Sequence, residues 1–357
     1  MKILFVDTSI RGHHAPYFKT LIKNSDYECV LCVPEKIENL NIKQIIVRNS
    51  NFRSRNFIQY CRWINEIKEI AESEKPDAIH FLYGDVFYRY FGMGLSKFKS
   101  YNTIITFHII KKSFIRDISI KTIFGKIDMG IVHTDALLNQ LQGIAIKNVK
   151  KIENPHCFYF ENITREYARK TLGLSDHAPV LLAIGGTRYD KGIDILLNAL
   201  KKVNKPFFLL IAGRELDFNK NYIKENIGPY KDKVKMLMRY LSDEEFYMCI
   251  NAADIIVLPY RKTFTGASGP LAEGVWQKKT IIGPNHGSLG SLIKDNHLGA
   301  TFKSEDADDL AKVINEQLDN KHQWNEKAES YRLTLSTDKF ALDHKNLYHT
   351  LINTFLY

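Results

Sequence analysis

No apolar stretch in this 357-residue chain approaches the ~20 residues a membrane-spanning helix needs, and the N-terminal run ILFV is cut short by Asp7, so neither an anchor nor a signal peptide is expected. Cysteine is scarce as well. Cys29, Cys32, Cys61, Cys157 and Cys249 are scattered and odd in number, which argues against a disulfide framework and for a reducing compartment. The C-x-x-C formed by Cys29 and Cys32 lies inside CVLCV, a strand-like run, and reads as buried core in preference to a redox or metal pair. No G-x-G-x-x-G follows the first strand, against an NAD-linked enzyme. Repeats and low-complexity runs are absent too.

What the chain has in excess is positive charge: 50 Lys and Arg against 40 Asp and Glu, a formal net charge of +10. Such a balance favours an anionic partner, whether nucleic acid, an acidic membrane surface or a phosphate-bearing substrate. Nucleic acid is disfavoured because the basic residues are dispersed and no recognition motif with interleaved aromatics appears. Hydrophobic residues at 45% and charged residues at 25% describe a globular chain, long enough for two domains.

Short apolar runs alternate with longer amphipathic ones, twice over. Strands are expected at 2–6, 28–33, 43–47, 77–82, 103–107 and 128–132, then at 179–184, 207–212, 234–238, 254–258 and 279–283. This rhythm predicts an α/β chain with two open, mostly parallel sheets, whose ligands bind beyond the carboxyl ends of the strands. The polar, proline-marked stretch from ENPHCFYF to SDHAP reads as the linker. The last segment, 339–356, puts Phe340, Leu347, Leu351, Ile352 and Phe355 on one helical stripe that needs a surface to cover.

The most informative stretch is 259–287, PYRKTFTGASGPLAEGVWQKKTIIGPNHG. Pro259 ends a buried strand. Gly266, Ala267, Ser268 and Gly269 are small enough to bring backbone N–H groups near an anion, and Pro270 suits the first turn of a helix, whose N-terminus attracts phosphate. Glu273 is expected in that first turn, as an acceptor for sugar hydroxyls; a plain strand–turn–helix with a dipole-complementing Glu has the same sequence. Upstream, Gly185-Gly186 is followed by Arg188 and Lys191 before a helix, two cations suited to a diphosphate, or equally to a solvated helix start.

Taken in order, IGGTRYDKGIDILLNAL, LLIAGRE, RYLSDEEFYMCINAADIIVLPY and SGPLAEGVWQKKTIIGPNHGSLGSLI resemble the C-terminal half of glycosyltransferase family 4. RGHHAPYFKTLI, PDAIHFLYGD and ITFHII resemble that family's acceptor-side domain. The resemblance implies a GT-B architecture, two Rossmann-like domains facing across a cleft. An acceptor-side domain would span 1–158, joined by a C-terminal helix (339–357) crossing back to it, and a donor domain 159–338.

It also implies transfer of a sugar from a UDP- or GDP-sugar to a hydroxyl, with retention, no cofactor and no metal. Arg188 and Lys191 match the family's basic pair, and Glu273 the carboxylate that holds the donor ribose. Ser268 and Gly269 match the loop whose amides meet the diphosphate. Gly12, with Arg11 and His13 on the acceptor side, matches the glycine loop of the first domain. Arg239, Tyr240 and Leu241 lie where the base is held, and Gly186 in the turn after the strand. His108 matches a histidine beside the transferred sugar, where it would hydrogen-bond a hydroxyl or steady developing charge. His80 and His133, also at strand ends, rank behind it.

Three positions depart from the family pattern: Thr265 replaces the first of two carboxylates, Gly186 stands where relatives carry an arginine, and Ile109 follows the histidine in place of an acid. These departures leave room for a non-catalytic nucleotide-sugar-binding or partner subunit, and a nucleotide-sugar epimerase on the same fold is a further alternative. Relatives imply a glycan or lipid-linked glycan acceptor in bacterial surface polysaccharide or glycolipid synthesis, hence a cytoplasmic protein peripheral to the inner face of the plasma membrane. Residues 109–124 read as a basic amphipathic segment, Ile110, Phe114, Ile118 and Ile123 on one side with Lys111, Lys112, Arg116 and Lys121 elsewhere; it fits an anionic membrane or the packing face of an ordinary helix.

Overall fold

In the computed structural model, which describes residues 1–50, 56–175, 177–320 and 322–354, the chain divides into two compact units, Met1–Pro155 with Thr337–Tyr357, and His156–Ser336. Each is a Rossmann-like α/β unit built on a parallel sheet. The first holds β1 (Lys2–Val6), α1 (His14–Leu21), β2 (Glu28–Val33), β3 (Lys43–Ile46), α2 (Phe57–Glu74), β4 (Ala78–Phe81), β5 (Asn102–Phe107), α3 (Phe114–Phe124), β6 (Met129–Val132), α4 (Asp135–Gly143) and β7 (Val149–Lys151). The second holds α5 (Arg165–Leu172), β8 (Val180–Ile184), α6 (Ile193–Leu200), β9 (Phe208–Ala212), α7 (Lys220–Asn226), β10 (Val234–Leu237), α8 (Asp243–Ala252), β11 (Ile255–Val257), α9 (Gly269–Trp276), β12 (Thr280–Pro284), α10 (Gly287–Asp295), β13 (Gly299–Phe302), α11 (Ala307–Asp319) and α12 (Glu326–Thr334). The closing helix, α13 (Thr337–Thr354), returns to the first unit.

Strand order is β3-β2-β1-β4-β5-β6-β7 in one sheet and β10-β9-β8-β11-β12-β13 in the other. In each, the order reverses beside the first strand, between β1 and β4 and between β8 and β11, and the loops leaving those strands frame a crevice. The central strands are apolar on both faces because helices cover both. Along β1, Leu4 and Val6 join one core while Ile3 and Phe5 join the other; along β8, Val180, Leu182 and Ile184 alternate in the same way with Leu181 and Ala183. The same alternation separates Cys29 from Cys32, which enter opposite cores as free thiols and cannot act as a pair.

Two strands, β7 and β13, were not expected from the sequence. Among the described residues both are edge strands, with one neighbour each, and VKK and GATF carry no buried apolar run. The stretch expected to be a linker is instead largely part of the second unit: Thr164 caps α5, and Ile163, Ala168, Leu172 and Leu174 enter its core. Arg169, fully buried, ties α5 down through the carbonyls of Ala252, Ser175 and Ala178 and through Asp254.

On α13, Phe340 and Leu347 are buried in the first unit's core, with Leu351 and Ile352 partly buried against it; Phe355 lies outside the described residues. Phe340 meets Tyr17 edge-on at 5.1 Å, and the Tyr348 hydroxyl lies 2.7 Å from Nδ1 of His80, whose Nε2 is 2.8 Å from Thr106 Oγ1. At about 1.5–3 kcal/mol for each fully buried large apolar side chain, this stripe is enough to hold the helix to its unit. Among the described residues, no helix is long and apolar enough to cross a membrane.

The segment 109–124 differs from the expected stripe. Ile110 and Ile123 are buried, as is Ile120, whereas Phe114 and Ile118 are exposed along with Ile115. The helix begins only at Phe114, so Ile110 lies outside it, and its inward face is set by Ser119, Ile120, Ile123 and Phe124.

Candidate functional site

In the second unit, β8 ends at Ile184 and runs into Gly185-Gly186-Thr187. The Thr187 hydroxyl donates to the Phe218 carbonyl (2.6 Å) and accepts from Leu216 N–H (3.0 Å), which fastens this turn to the loop after β9. A short 3-10 turn, Tyr189–Lys191, follows and ends at Gly192 in the left-handed region (φ +64°). A Cβ there would lie 2.0 Å from the Pro259 carbonyl oxygen, so only glycine lets the β8 and β11 loops approach this closely.

The two loops are then clamped. Arg261 pairs bidentately with Asp194 (3.0 and 2.5 Å), donates its backbone N–H to the Asp190 carbonyl, and lies 3.8 Å over the Tyr189 ring.

Within this frame, Lys191 points its ammonium at two aromatic faces, 3.7 Å from the Tyr260 centroid and 4.4 Å from that of Phe264. It has no carboxylate within ion-pair distance among the described residues. Burial, and secondarily the neighbouring Arg188 guanidinium, lower its pKa to about 7. The Tyr260 hydroxyl is 3.3 Å from Ser268 Oγ, and Ser268 caps α9 by accepting from Leu271 N–H. Lys191 is thus linked through one aromatic ring to the N-terminus of α9, where Gly269 leaves open space for a close ligand. Arg188 is half turned to solvent and held by Asp190 through two bonds of 2.9 and 2.8 Å.

Glu273 is placed differently from expectation. Ser268 is the cap, so the helix begins at Gly269 and Glu273 falls beyond its first turn, 3% exposed. Its Oε1 accepts from the backbone N–H of Cys157 (2.5 Å) and Phe158 (3.3 Å), while Oε2 is buried with no partner among the described residues. Burial raises its pKa to about 8 against the opposing pull of those two amides, with Asp243 adding to the rise. Asp243 opens α8, so Glu273 belongs to the neighbourhood of the turn after β10. In that turn Arg239 is exposed and paired with Glu245, Tyr240 is exposed and Leu241 buried; Ser242 and Glu245 form a capping box. Gly186 packs beside Leu216, and Thr265 is exposed in the loop before Ser268.

In the first unit, Asp7, just past β1, accepts from His14 Nδ1 at 2.9 Å. Gly12 is left-handed (φ +67°) in open space, Arg11 is exposed near Glu35, and His13 is in contact with Tyr83. His108 leaves β5 and donates Nε2–H to the Leu82 carbonyl (2.9 Å), which leaves Nδ1 as an acceptor. Its ring stacks on Tyr83 at 4.0 Å and 16°, and Tyr83 stacks in turn on His14 at 4.0 Å. Burial, with His133 and His13 nearby, lowers the His108 pKa well below the ordinary range. A neutral imidazole offers a hydrogen bond and no positive charge. His80 and His133 are buried and occupied, His133 by the Ile152 carbonyl and the Tyr17 hydroxyl.

The structure therefore brings Arg188, Lys191, Ser268 and Gly269 together in one unit, and His13 and His108 together in the other. Tyr260, Asp190, the Arg261–Asp194 clamp and Tyr83 were missed. The PYRK run after β11 was the available signal, since an aromatic and an arginine in a tight loop between strand and helix need partners.

Residues 164–332 match the family model of Glycosyl transferases group 1. Over 173 residues the chain is 24% identical to an uncharacterized glycosyltransferase of Methanocaldococcus jannaschii, a match spanning 48% of this chain and 48% of that relative, about half its length. Sucrose-phosphate synthase from Thermosynechococcus elongatus has the same fold (TM-score 0.79, 15% identity, 99% of this chain and 100% of that one). So does Anabaena HepE, solved with UDP and glucose (TM-score 0.75, 15% identity, 98% of this chain and 100% of that one). The chain thus shares with these proteins a fold of two Rossmann-like units, the GT-B fold, and its residues 164–332 match the group 1 glycosyl transferase model.

Proposed function

We propose that this chain is a retaining glycosyltransferase of family 4 that moves a sugar, a hexose or a close relative, from a nucleotide diphosphate donor to a hydroxyl of a glycan or lipid-linked glycan. The observation that carries the reading is Lys191, an ammonium without a carboxylate partner among the described residues, beside Arg188 and linked through Tyr260 to the capped N-terminus of α9. When the bond from the anomeric carbon to the diphosphate breaks, its electron pair stays on the leaving oxygen, while the acceptor oxygen bonds to the carbon on the same face and its proton passes to the leaving phosphate oxygen. The growing charge is met by Lys191, Arg188 and the amides at Ser268 and Gly269, with no metal required. Oε2 of Glu273, unpartnered among the described residues, is the acceptor offered to the donor ribose, and the turn at Arg239, Tyr240 and Leu241 is assigned to the base. His108, neutral, offers Nδ1 to a sugar hydroxyl. Arg11, Gly12 and His13 are assigned to the acceptor side.

HepE's complexes with UDP and UDP-glucose support a uridine donor, with a GDP-sugar as the alternative. WaaG, also similar in fold and described as involved in lipopolysaccharide biosynthesis, supports a role in surface polysaccharide or glycolipid synthesis on the cytoplasmic face of the plasma membrane.

Thermal unfolding in the presence of UDP, GDP, ADP and their sugars tests the donor site. A nucleotide at 100 times its Kd adds about 2.7 kcal/mol, and Lys191→Ala removes most of that gain. No stabilisation by any nucleotide, or full stabilisation of the variant, overturns the assignment.

A non-catalytic nucleotide-sugar-binding subunit is favoured by one observation, Thr265 where relatives carry a carboxylate. It binds donor yet releases no free nucleotide on incubation, with or without acceptor, whereas the transferase does.

A further inference from the structure

We propose that the start of α3 and the corner it packs against form a docking face for an anionic lipid surface, with Phe114 and Ile115 as the inserting side chains. Phe114 is 80% exposed, Ile115 68% and Ile118 44%, on a helix start that is well made: Ser113 caps it by accepting from Arg116 N–H at 3.2 Å. These side chains are therefore presented by a formed helix.

The segment 84–94 is fastened to α3, since Ser119 Oγ donates to the Tyr88 carbonyl (2.6 Å), Arg116 lies 4.2 Å over the Tyr88 ring, and Lys126 donates to the carbonyls of Phe91 and Gly92. That segment adds the exposed Phe91 and Met93. Its other side meets the start of α2, where Tyr60 donates to the Met93 carbonyl (2.6 Å) and Phe57, itself exposed, meets Tyr90 at 5.5 Å. Exposed large apolar side chains concentrate here: seven of the fifteen among the described residues lie on these three neighbouring segments. A globular surface does not gather them without a use.

Charge selects the occupant. Residues 84–126 hold eight Lys and Arg against two Asp, a net +6 out of the chain's +10. Lys111, Lys112 and Lys121 are exposed and form no ion pair among the described residues. A second copy docking face to face would set like charge against like, and an apolar protein partner would leave these lysines unanswered. Anionic headgroups beneath an apolar layer satisfy both sets at once. The face deepens the proposed function, because a lipid-linked acceptor lies in such a surface, and it rests on that reading only for this meaning.

Co-sedimentation of the full chain with phosphatidylglycerol-rich and with pure phosphatidylcholine vesicles, in the absence of any nucleotide, tests it. The protein is expected to bind the former, to bind the latter far more weakly, and to be released by salt. Replacing Lys111, Lys112 and Lys121 together by Gln lowers the partition constant by about fivefold per lysine, roughly a hundredfold in all. Phe114→Ser with Ile115→Ser lowers it at least tenfold while leaving the circular dichroism spectrum and the nucleotide-induced thermal shift unchanged, both positions being exposed.

Failure of the unmodified protein to bind phosphatidylglycerol vesicles overturns the proposal, as does equal binding by either variant. Concentration-dependent dimerisation abolished by Phe114→Ser, with no vesicle binding, would assign the face to a second copy instead. Because no donor is present, these outcomes are independent of the nucleotide assay.

Discussion

The ammonium of Lys191 rests 3.7 Å above the centre of the Tyr260 ring, held by an aromatic face where a carboxylate would ordinarily stand. The contact keeps the lysine in place while leaving its charge uncancelled, and burial brings its pKa to about 7.

Nucleotide diphosphate affinity should follow the protonation of Lys191. Below about pH 7 the ammonium is charged and the diphosphate binds fully; above it the cation is lost, and affinity falls by up to tenfold per pH unit until Arg188 and the backbone amides alone remain. Calorimetric titration of UDP between about pH 6 and pH 9 reads this directly. Lys191→Arg, which stays charged, flattens the profile, and a sloping profile in that variant would place the titrating group elsewhere.

Glu273 sets stability against function. Its folded pKa, near 8, is raised above its unfolded value, so the protonated form is favoured in the native state. Its contribution is fully present below the unfolded pKa, near 4.3, and is lost as the pH rises from there towards 8. Glu273→Gln should therefore unfold at a higher temperature than the parent at neutral and mildly alkaline pH, by up to a few kcal/mol in stability. The same variant should lose most of the nucleotide-induced shift, since the ribose hydroxyls favour the ionised, acceptor-only form of Glu273, which an amide cannot adopt.

Acid should loosen the first unit before the second. His133 and His344 are buried neutral, with pKa values lowered by burial to about 4 and about 3. A histidine depressed in this way contributes stability that is present above its unfolded pKa near 6.5 and lost as pH falls towards its folded value. At pH 5 each costs about 2 kcal/mol relative to neutral pH. His344 donates Nδ1–H to the Phe340 carbonyl, and its Nε2 is buried with no partner among the described residues. His344→Phe should flatten the fall in the urea midpoint between pH 7 and pH 5; an unchanged slope would remove it from the account.

Gly192 and Gly12 share a left-handed backbone but not a cost. Gly12→Ala meets nothing within 4 Å and should destabilise by about 1 kcal/mol, the conformational penalty alone. Gly192→Ala drives a Cβ to 2.0 Å from the Pro259 carbonyl oxygen, so the two loops must part. Its melting temperature should fall further, and nucleotide stabilisation should disappear even where the protein remains folded.

The two sheets were legible because strands covered on both faces must be apolar throughout, as in KILFV and VLLAI; the cationic pair and small-residue loop could be located but not assigned, because the same residue types also suit a solvated helix start. Edge strands such as GATF, half covered, carry no such run, and the helix buried in the supposed linker is polar enough in sequence to hide it.

Local pattern thus determined the architecture and which residues leave the strand ends, since periodicity and turn chemistry act over a few neighbours. Only tertiary structure decided that an aromatic ring holds Lys191, that Glu273 turns inward to two amides 116 and 115 residues away in sequence, and that Phe114 and Ile115 stay uncovered. Those outcomes depend on which distant backbone and side-chain groups arrive beside each residue, and sequence spacing does not record that.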